Sequence, residues 1–213
     1  MSFFRLIPNL VIMAPKDFEE LEQMLEFATK LQKPVVIRYP RGGEDKYKFN
    51  KHEEINFGQA ELLKQGTDIT IIGIGKTVAR AMKIAEDLEK EDIHAEVINA
   101  RFLKPLDKKI IKESIEKTKK VITIEDGTKI NGLGTAVEEM ILEENLENVK
   151  IKKYGYPDKF IEHGTVEELE ELYHVDQKSI EEEIKENYIK ENTINNKEKR
   201  KIKYVQTGIV KSI

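Results

Sequence analysis

A short β-branched run, Val35-Val36-Ile37, leads directly into Arg38-Tyr39-Pro40-Arg41-Gly42. A guanidinium holds a phosphate or carboxylate through two parallel N–H bonds, and the carboxyl ends of strands in open α/β sheets are where ligands bind. Gly42 lets the chain bend away after Arg41. The residues serve anion binding and an ion pair at a domain interface equally well. Because alternate residues of a strand face opposite ways, Arg38 and Arg41 are expected not to share a face.

Other groups point less sharply to chemistry. Glu125 and Asp126 end the run Val121-Ile122-Thr123-Ile124. Paired carboxylates can act as general acid and base, but neighbours on a strand diverge, which leaves one of the two for a site at most. Gly127 to Gly134 is a glycine-bearing turn suited first to tight backbone packing and second to lining a shared cleft or subunit contact. Gly73-Ile74-Gly75 invites a dinucleotide reading, yet Val78 stands where the third glycine belongs, and Thr70 stands where a phosphate-binding loop needs its first. A plain strand-to-helix turn is expected there. His52, His94, His163 and His174 lack metal-ligand spacing. No serine sits in a Gly-x-Ser-x-Gly elbow, and the absence of cysteine excludes disulfides, thiolate metal sites and cysteine nucleophiles.

The elements that would position these residues alternate between strand and helix. Leu10 to Met13 reads as a strand, and Asp17 and Glu20 at capping-box spacing open a helix with Phe18, Leu21, Met24, Leu25, Ala28 and Leu31 in helical period. Val35 to Ile37 completes a strand-helix-strand unit. Gly42 to about His52 shows no sustained period and reads as a linker. Beyond it come a strand over Ile69 to Ile72, a helix with Val78, Ala81, Met82, Ala85 and Leu88 on one face, and a strand over Glu96 to Asn99. A helix capped by Asp107, the strand at Val121, a helix from Ala136 to about Glu144 and a strand at Val149 to Ile151 follow. Thr165 and Glu168 form a further capping box, and an amphipathic helix over Asp176 to Tyr188 turns Ile180 and Ile184 inward. This alternation demands an α/β fold with a mostly parallel sheet covered by helices on both faces.

Composition bounds the rest. The 213 residues are 39% hydrophobic and 36% charged, with 36 basic against 40 acidic residues and a formal charge of -4, so no long-range pull toward nucleic acid or anionic lipid is expected. The least polar stretch, Ile69 to Ile74, is far short of the roughly 20 residues that span a bilayer, and the first residues lack an export-signal plan, so a cytoplasmic location is expected. Lys197 to Lys203 is a basic cluster expected to lie in a loosely held extension.

Four strings in register carry a resemblance. Ile7 to Asp17 (Ile-Pro-Asn-Leu-Val-Ile-Met-Ala-Pro-Lys-Asp), Val36 to Gly42, Asn99 to Asp107 (Asn-Ala-Arg-Phe-Leu-Lys-Pro-Leu-Asp) and Tyr156 to Gly164 (Tyr-Pro-Asp-Lys-Phe-Ile-Glu-His-Gly) are similar to the C-terminal third of the 1-deoxy-D-xylulose-5-phosphate synthase family, over about Ser2 to Tyr188. The resemblance implies a C-terminal remnant of a pyrimidine-binding domain (1–45), a linker (46–55), a three-layer transketolase C-terminal-like domain (56–190) and a basic tail (191–213). It implies a parent enzyme that uses thiamin diphosphate and magnesium to join pyruvate to glyceraldehyde 3-phosphate with loss of carbon dioxide, in isoprenoid, thiamin and pyridoxal precursor synthesis. The family's activating glutamate, its histidine-bearing loop and its metal motif precede the region matched here. A chain without them is expected to carry no catalytic residue, to bind no cofactor alone and to be inactive alone. Arg41 matches the family arginine that holds the aldehyde's phosphate, which makes Arg38 structural. The implied partners are the remaining N-terminal portion of the synthase, or an equivalent subunit, and a second copy in a homodimer. The alternative from another class is a non-catalytic assembly module or the small subunit of a split enzyme.

Overall fold

The computed structural model describes residues 1–43, 45–50 and 52–187. The expected extension from residue 191, with its basic cluster, lies outside the described residues.

A short 3-10 turn over Ser2–Leu6 precedes strand β1 (Val11–Met13), helix α1 (Phe18–Lys30) and strand β2 (Val35–Ile37). Asp17 caps α1 by accepting the Glu20 N–H at 2.8 Å. The capping box expected there is only half made, because the Glu20 carboxylate accepts from the Lys16 N–H at 2.7 Å and turns into the interior. The next elements are β3 (Glu61–Lys64), β4 (Ile69–Gly73), α2 (Thr77–Glu89), β5 (Ala95–Asn99), β6 (Phe102–Lys104), α3 (Lys108–Thr118) and β7 (Lys120–Thr128). They are followed by α4 (Leu133–Glu143), β8 (Lys150–Tyr156) and α5 (Val166–Leu172), and the chain is helical again over 177–187. The full capping box at Thr165 and Glu168 forms as expected.

Five strands make the larger sheet in the order β3-β5-β4-β7-β8, parallel except for the β3–β5 edge pair. Its strands alternate their side chains between two cores. Ile72, Ile98 and Val121 meet Ile111 and Ile115 of α3 and Val137 and Met140 of α4 on one face, while Ile71, Val97, Ile122 and Ile124 meet Ile84, Ala85 and Leu88 of α2 with Ile180 and Ile184 on the other. This is the expected three-layer α/β arrangement with a mostly parallel sheet.

The smaller sheet has the order β2-β1-β6, with β1 parallel to β2 and antiparallel to β6. Leu10, Ile12 and Ala14 join the α3–α4 core, and Val11 and Met13 pack with Met24 of α1 and Phe102 of β6. β6 pairs with β1, Val11 is buried between its neighbours, and β2 and β6 form the two edges of this sheet. Phe102–Lys104 and Glu61–Lys64 are not legible as strands in the sequence because, unlike the equally short Val35–Ile37, they hold no β-branched residue.

A cluster of ionised side chains locks the two sheets together. Lys16 contacts Glu20 at 3.2 Å and Glu61 at 2.7 Å, and Arg101 contacts the same two carboxylates at 2.7 and 3.3 Å. Asn99 donates to both acids, and the Arg101 guanidinium also donates to the Glu53 and Glu54 carbonyls. All four charged side chains are buried. With two cations, two anions and donors matched to acceptors, the cluster meets the conditions under which charge survives burial.

Candidate functional site

Parallel pairing gathers the carboxyl ends of β1, β2, β4 and β7 at one rim of the molecule, where the chain turns through Arg38 to Gly43 and Ile74 to Lys76 and β7 runs out through Glu125 to Thr128. The two expected arginines part there. Arg38 reaches across to Asp126 of β7 at 2.6 Å, tying the smaller sheet to the larger. Arg41 is exposed, lines an open hollow of about 400 Å³, and has no hydrogen-bonding or ion-pair partner among the described residues. Gly42, with φ of 123°, takes the backbone turn that a side chain would resist.

The start of α2 also lines the hollow. Lys76, Arg80 and Lys83 recur along it at helical spacing and line the same space, with Val166 and Glu170 of α5, Gln177, and Asp45 from the segment after β2. Lys83 pairs with Asp45 at 2.7 Å. Arg80 binds the Glu170 carboxylate and the Val175 carbonyl. Lys76 stands 3.4 Å from Asp126 and 3.6 Å from Glu170. Four cations therefore face two carboxylates in the lining, an excess that suits an anion. Reading the sequence brings out only the apolar face of α2. The spacing of Lys76, Arg80 and Lys83 is the signal it holds, but a stripe of charge on a helix is usually a solvated face and gains meaning only with Arg41 in the same lining.

The adjacent acids diverge as expected. Glu125 turns into the protein, where its carboxylate accepts the Leu133 and Gly134 N–H groups, both at 3.0 Å, at the start of α4. Burial pushes its pKa up, against the pull of those two N–H groups and the Lys153 charge. The glycine turn is built around this carboxylate: a Cβ on Gly132 would lie 1.8 Å from Glu125 Oε2. Asp126 faces the rim. Burial would raise its carboxyl, but the Arg38 and Lys76 charges hold it below the ordinary value. A smaller cavity of about 180 Å³ lies beside it, between Met1 to Phe3, Arg38, Ile74 and Glu125 to Thr128.

The histidines disperse: His52 pairs with Asp17 at 2.6 Å and His94 with Glu89 at 3.1 Å. Among the described residues no three His, Cys, Asp or Glu side chains are grouped to hold a metal ion, and no helix is long and apolar enough to cross a membrane. An apolar cavity of about 360 Å³ lies at the far end of the sheet, between Ile69, Lys120 to Ile122, Lys150 to Lys152, Tyr154 and Ile184. The rim with Arg41 combines a ligand-sized hollow, a cation without a partner among the described residues and convergent strand ends.

Comparison with known proteins agrees with this architecture. The family described as transketolase, C-terminal domain, matches residues 58–180, and that described as transketolase, pyrimidine binding domain, matches residues 1–43. Curated relatives include the 1-deoxy-D-xylulose-5-phosphate synthase of Halothermothrix orenii, 45% identical over 181 residues that make up 84% of this chain and 28% of the relative. The synthase of Desulfotalea psychrophila is 49% identical over 168 residues, 77% of this chain and 26% of the relative. The chain thus spans just over a quarter of the length of these relatives. Among solved structures, one described as "Split gene transketolase, inactive beta4 tetramer" superposes with a TM-score of 0.77 at 30% identity, covering 87% of this chain and 59% of that one. A Pichia stipitis transketolase variant superposes at 0.59 with 17% identity over 87% of this chain and 26% of its own, which speaks to the fold alone. A two-sheet frame with β6 laid against β1, together with these matches, leads to one assignment: the chain belongs to the transketolase C-terminal domain family, and its curated relatives are 1-deoxy-D-xylulose-5-phosphate synthases.

Proposed function

We propose that the chain is the C-terminal part of a 1-deoxy-D-xylulose-5-phosphate synthase acting in the cytoplasm, and that Arg41 holds the phosphate of glyceraldehyde 3-phosphate while the aldehyde is condensed with pyruvate and carbon dioxide is lost. The observation that carries this reading is the exposed Arg41 guanidinium at the carboxyl end of β2, lining an open hollow with no partner among the described residues. A guanidinium in such a place forms two charge-assisted hydrogen bonds with a phosphate and fixes the far end of the substrate, which places the aldehyde carbon. Arg38, held by Asp126, keeps the strand end in register with the larger sheet.

The described residues do not fit the diphosphate and magnesium of thiamin diphosphate. They offer no cluster of metal-ligating side chains, and Glu125, a carboxylate buried at this rim, is committed to the start of α4. In this reading cofactor and metal are held by the remaining portion of the synthase, residues 1–45 and 56–190 contribute to two separate domains joined by 46–55, and two copies associate as a homodimer. Co-expression with an N-terminal portion bearing the cofactor site, followed by carbon dioxide release from pyruvate in the presence of glyceraldehyde 3-phosphate, tests it. Activity that needs both polypeptides is expected, and its absence from every such pair overturns the reading.

A second reading is favoured by the likeness to a solved split-gene transketolase. Here the chain is a separate subunit or a non-catalytic assembly module. Co-purification with an upstream polypeptide that does not restore turnover selects the assembly module.

A further inference from the structure

The cations that line the hollow with Arg41 have a counter-ion of their own, and its setting is unusual. Glu170 enters the hollow from α5, contacts Lys76 at 3.6 Å and binds Arg80. Lys76 is held closely by neither of its acids, since 3.4 and 3.6 Å both exceed the roughly 2.8 Å of a close N–H to carboxylate bond. The element that carries Glu170 is lightly anchored. α5 has only seven residues and none of them is buried, so moving it disturbs little packing. Arg80 keeps the Val175 carbonyl as a second acceptor if Glu170 leaves.

We propose that Glu170 is an exchangeable internal anion, and that a phosphate monoester arriving beside Arg41 displaces it from Lys76 and Arg80, so that these two side chains become further phosphate-binding residues. The inference rests on the Arg41 reading for the place where the ligand first docks. Its chemistry is an exchange of ion pairs. A dianion with three terminal oxygens satisfies Arg41, Lys76 and Arg80 together, which a single carboxylate cannot do, and Glu170 gains water. The contact selects against small monoanions, because only a ligand of higher charge outcompetes a tethered carboxylate. It also couples ligand binding to α5 and the Tyr156 to Gly164 segment before it.

Calorimetric titration of the 213-residue chain with inorganic phosphate, at ionic strength held constant with chloride, tests this. Glu170→Gln keeps the shape and removes the competing charge, and is expected to tighten phosphate binding about tenfold. Glu170→Asp, with its carboxylate drawn back by one methylene, is expected between the two. Adding Lys76→Met to Glu170→Gln is expected to reverse most of the gain. Equal affinity of the wild type and Glu170→Gln overturns the proposal. If Arg41→Ala abolishes binding while Glu170→Gln changes nothing, the Arg41 reading stands and this one falls. If the gain in Glu170→Gln persists undiminished in the Arg41→Ala background, the Arg41 reading falls and takes with it the docking place on which this proposal rests, leaving only the competition between Glu170 and phosphate for Lys76 and Arg80.

Discussion

At the scale of single residues, two arginines three positions apart differ in role because of what lies across from each. Arg41 faces open space, and Arg38 faces Asp126. Arg41→Ala is expected to raise the KM for the phosphate-bearing substrate some 10- to 100-fold in the assembled enzyme. That is the worth of hydrogen bonds to a charged group, and the KM for pyruvate is expected to stay unchanged. Steady-state kinetics with each substrate varied in turn checks it, and a matching rise in both constants argues against a phosphate contact. Asp126 makes a complementary prediction in pH. Its folded pKa lies below the ordinary 3.8, so its contribution to stability is fully present above that value and is lost as pH falls through the folded pKa. Asp126→Asn is therefore expected to cost about 1–2 kcal/mol at pH 7, with the difference from wild type shrinking below about pH 4. Urea unfolding at both pH values measures it, and a gap that widens on acidification contradicts the assignment.

At the scale of elements, the α4 start shows how one interaction can decide a loop. Glu125 leaves β7 pointing inward and supplies the acceptor that the first N–H groups of α4 would otherwise lack. The carboxylate fits only because residue 132 has no side chain. Gly132→Ala is expected to cost about 2–4 kcal/mol, since the methyl group must drive a buried carboxylate from its donors. Thermal unfolding checks this, and a shift of under a degree would mean the loop simply moves aside. The glycine turn was legible as tight packing, but the object packed was not. No local pattern connects residue 125 to residues 133 and 134. In the same way the Asp17-to-Glu20 spacing correctly marked the start of α1, yet tertiary context reassigned the Glu20 side chain from cap to buried ion pair.

At the scale of the whole molecule, the cluster of Lys16, Glu20, Glu61 and Arg101 carries the union of the two sheets. Arg101→Met keeps much of the volume but leaves two buried carboxylates with one cation, and is expected to cost about 3–5 kcal/mol. Chemical denaturation followed by circular dichroism measures that loss. A change below about 1 kcal/mol would show that water reaches the cluster and that the packing of Leu10, Ile12 and Ala14 into the α3–α4 core holds the sheets without it.

Hydrophobic period, caps and turn residues determined most of the elements, the three-layer class and the place of Arg41 at a strand end, because these depend on residues within a few positions of one another. What only the tertiary structure decided involves partners far apart in the chain: β6 against β1, Arg38 with Asp126, and the α2 cations lining one hollow with Arg41. The physical reason is range. A backbone period repeats within a few residues, whereas a buried charge is settled by whichever opposite charge the fold brings near it, at separations along the chain that leave no local trace.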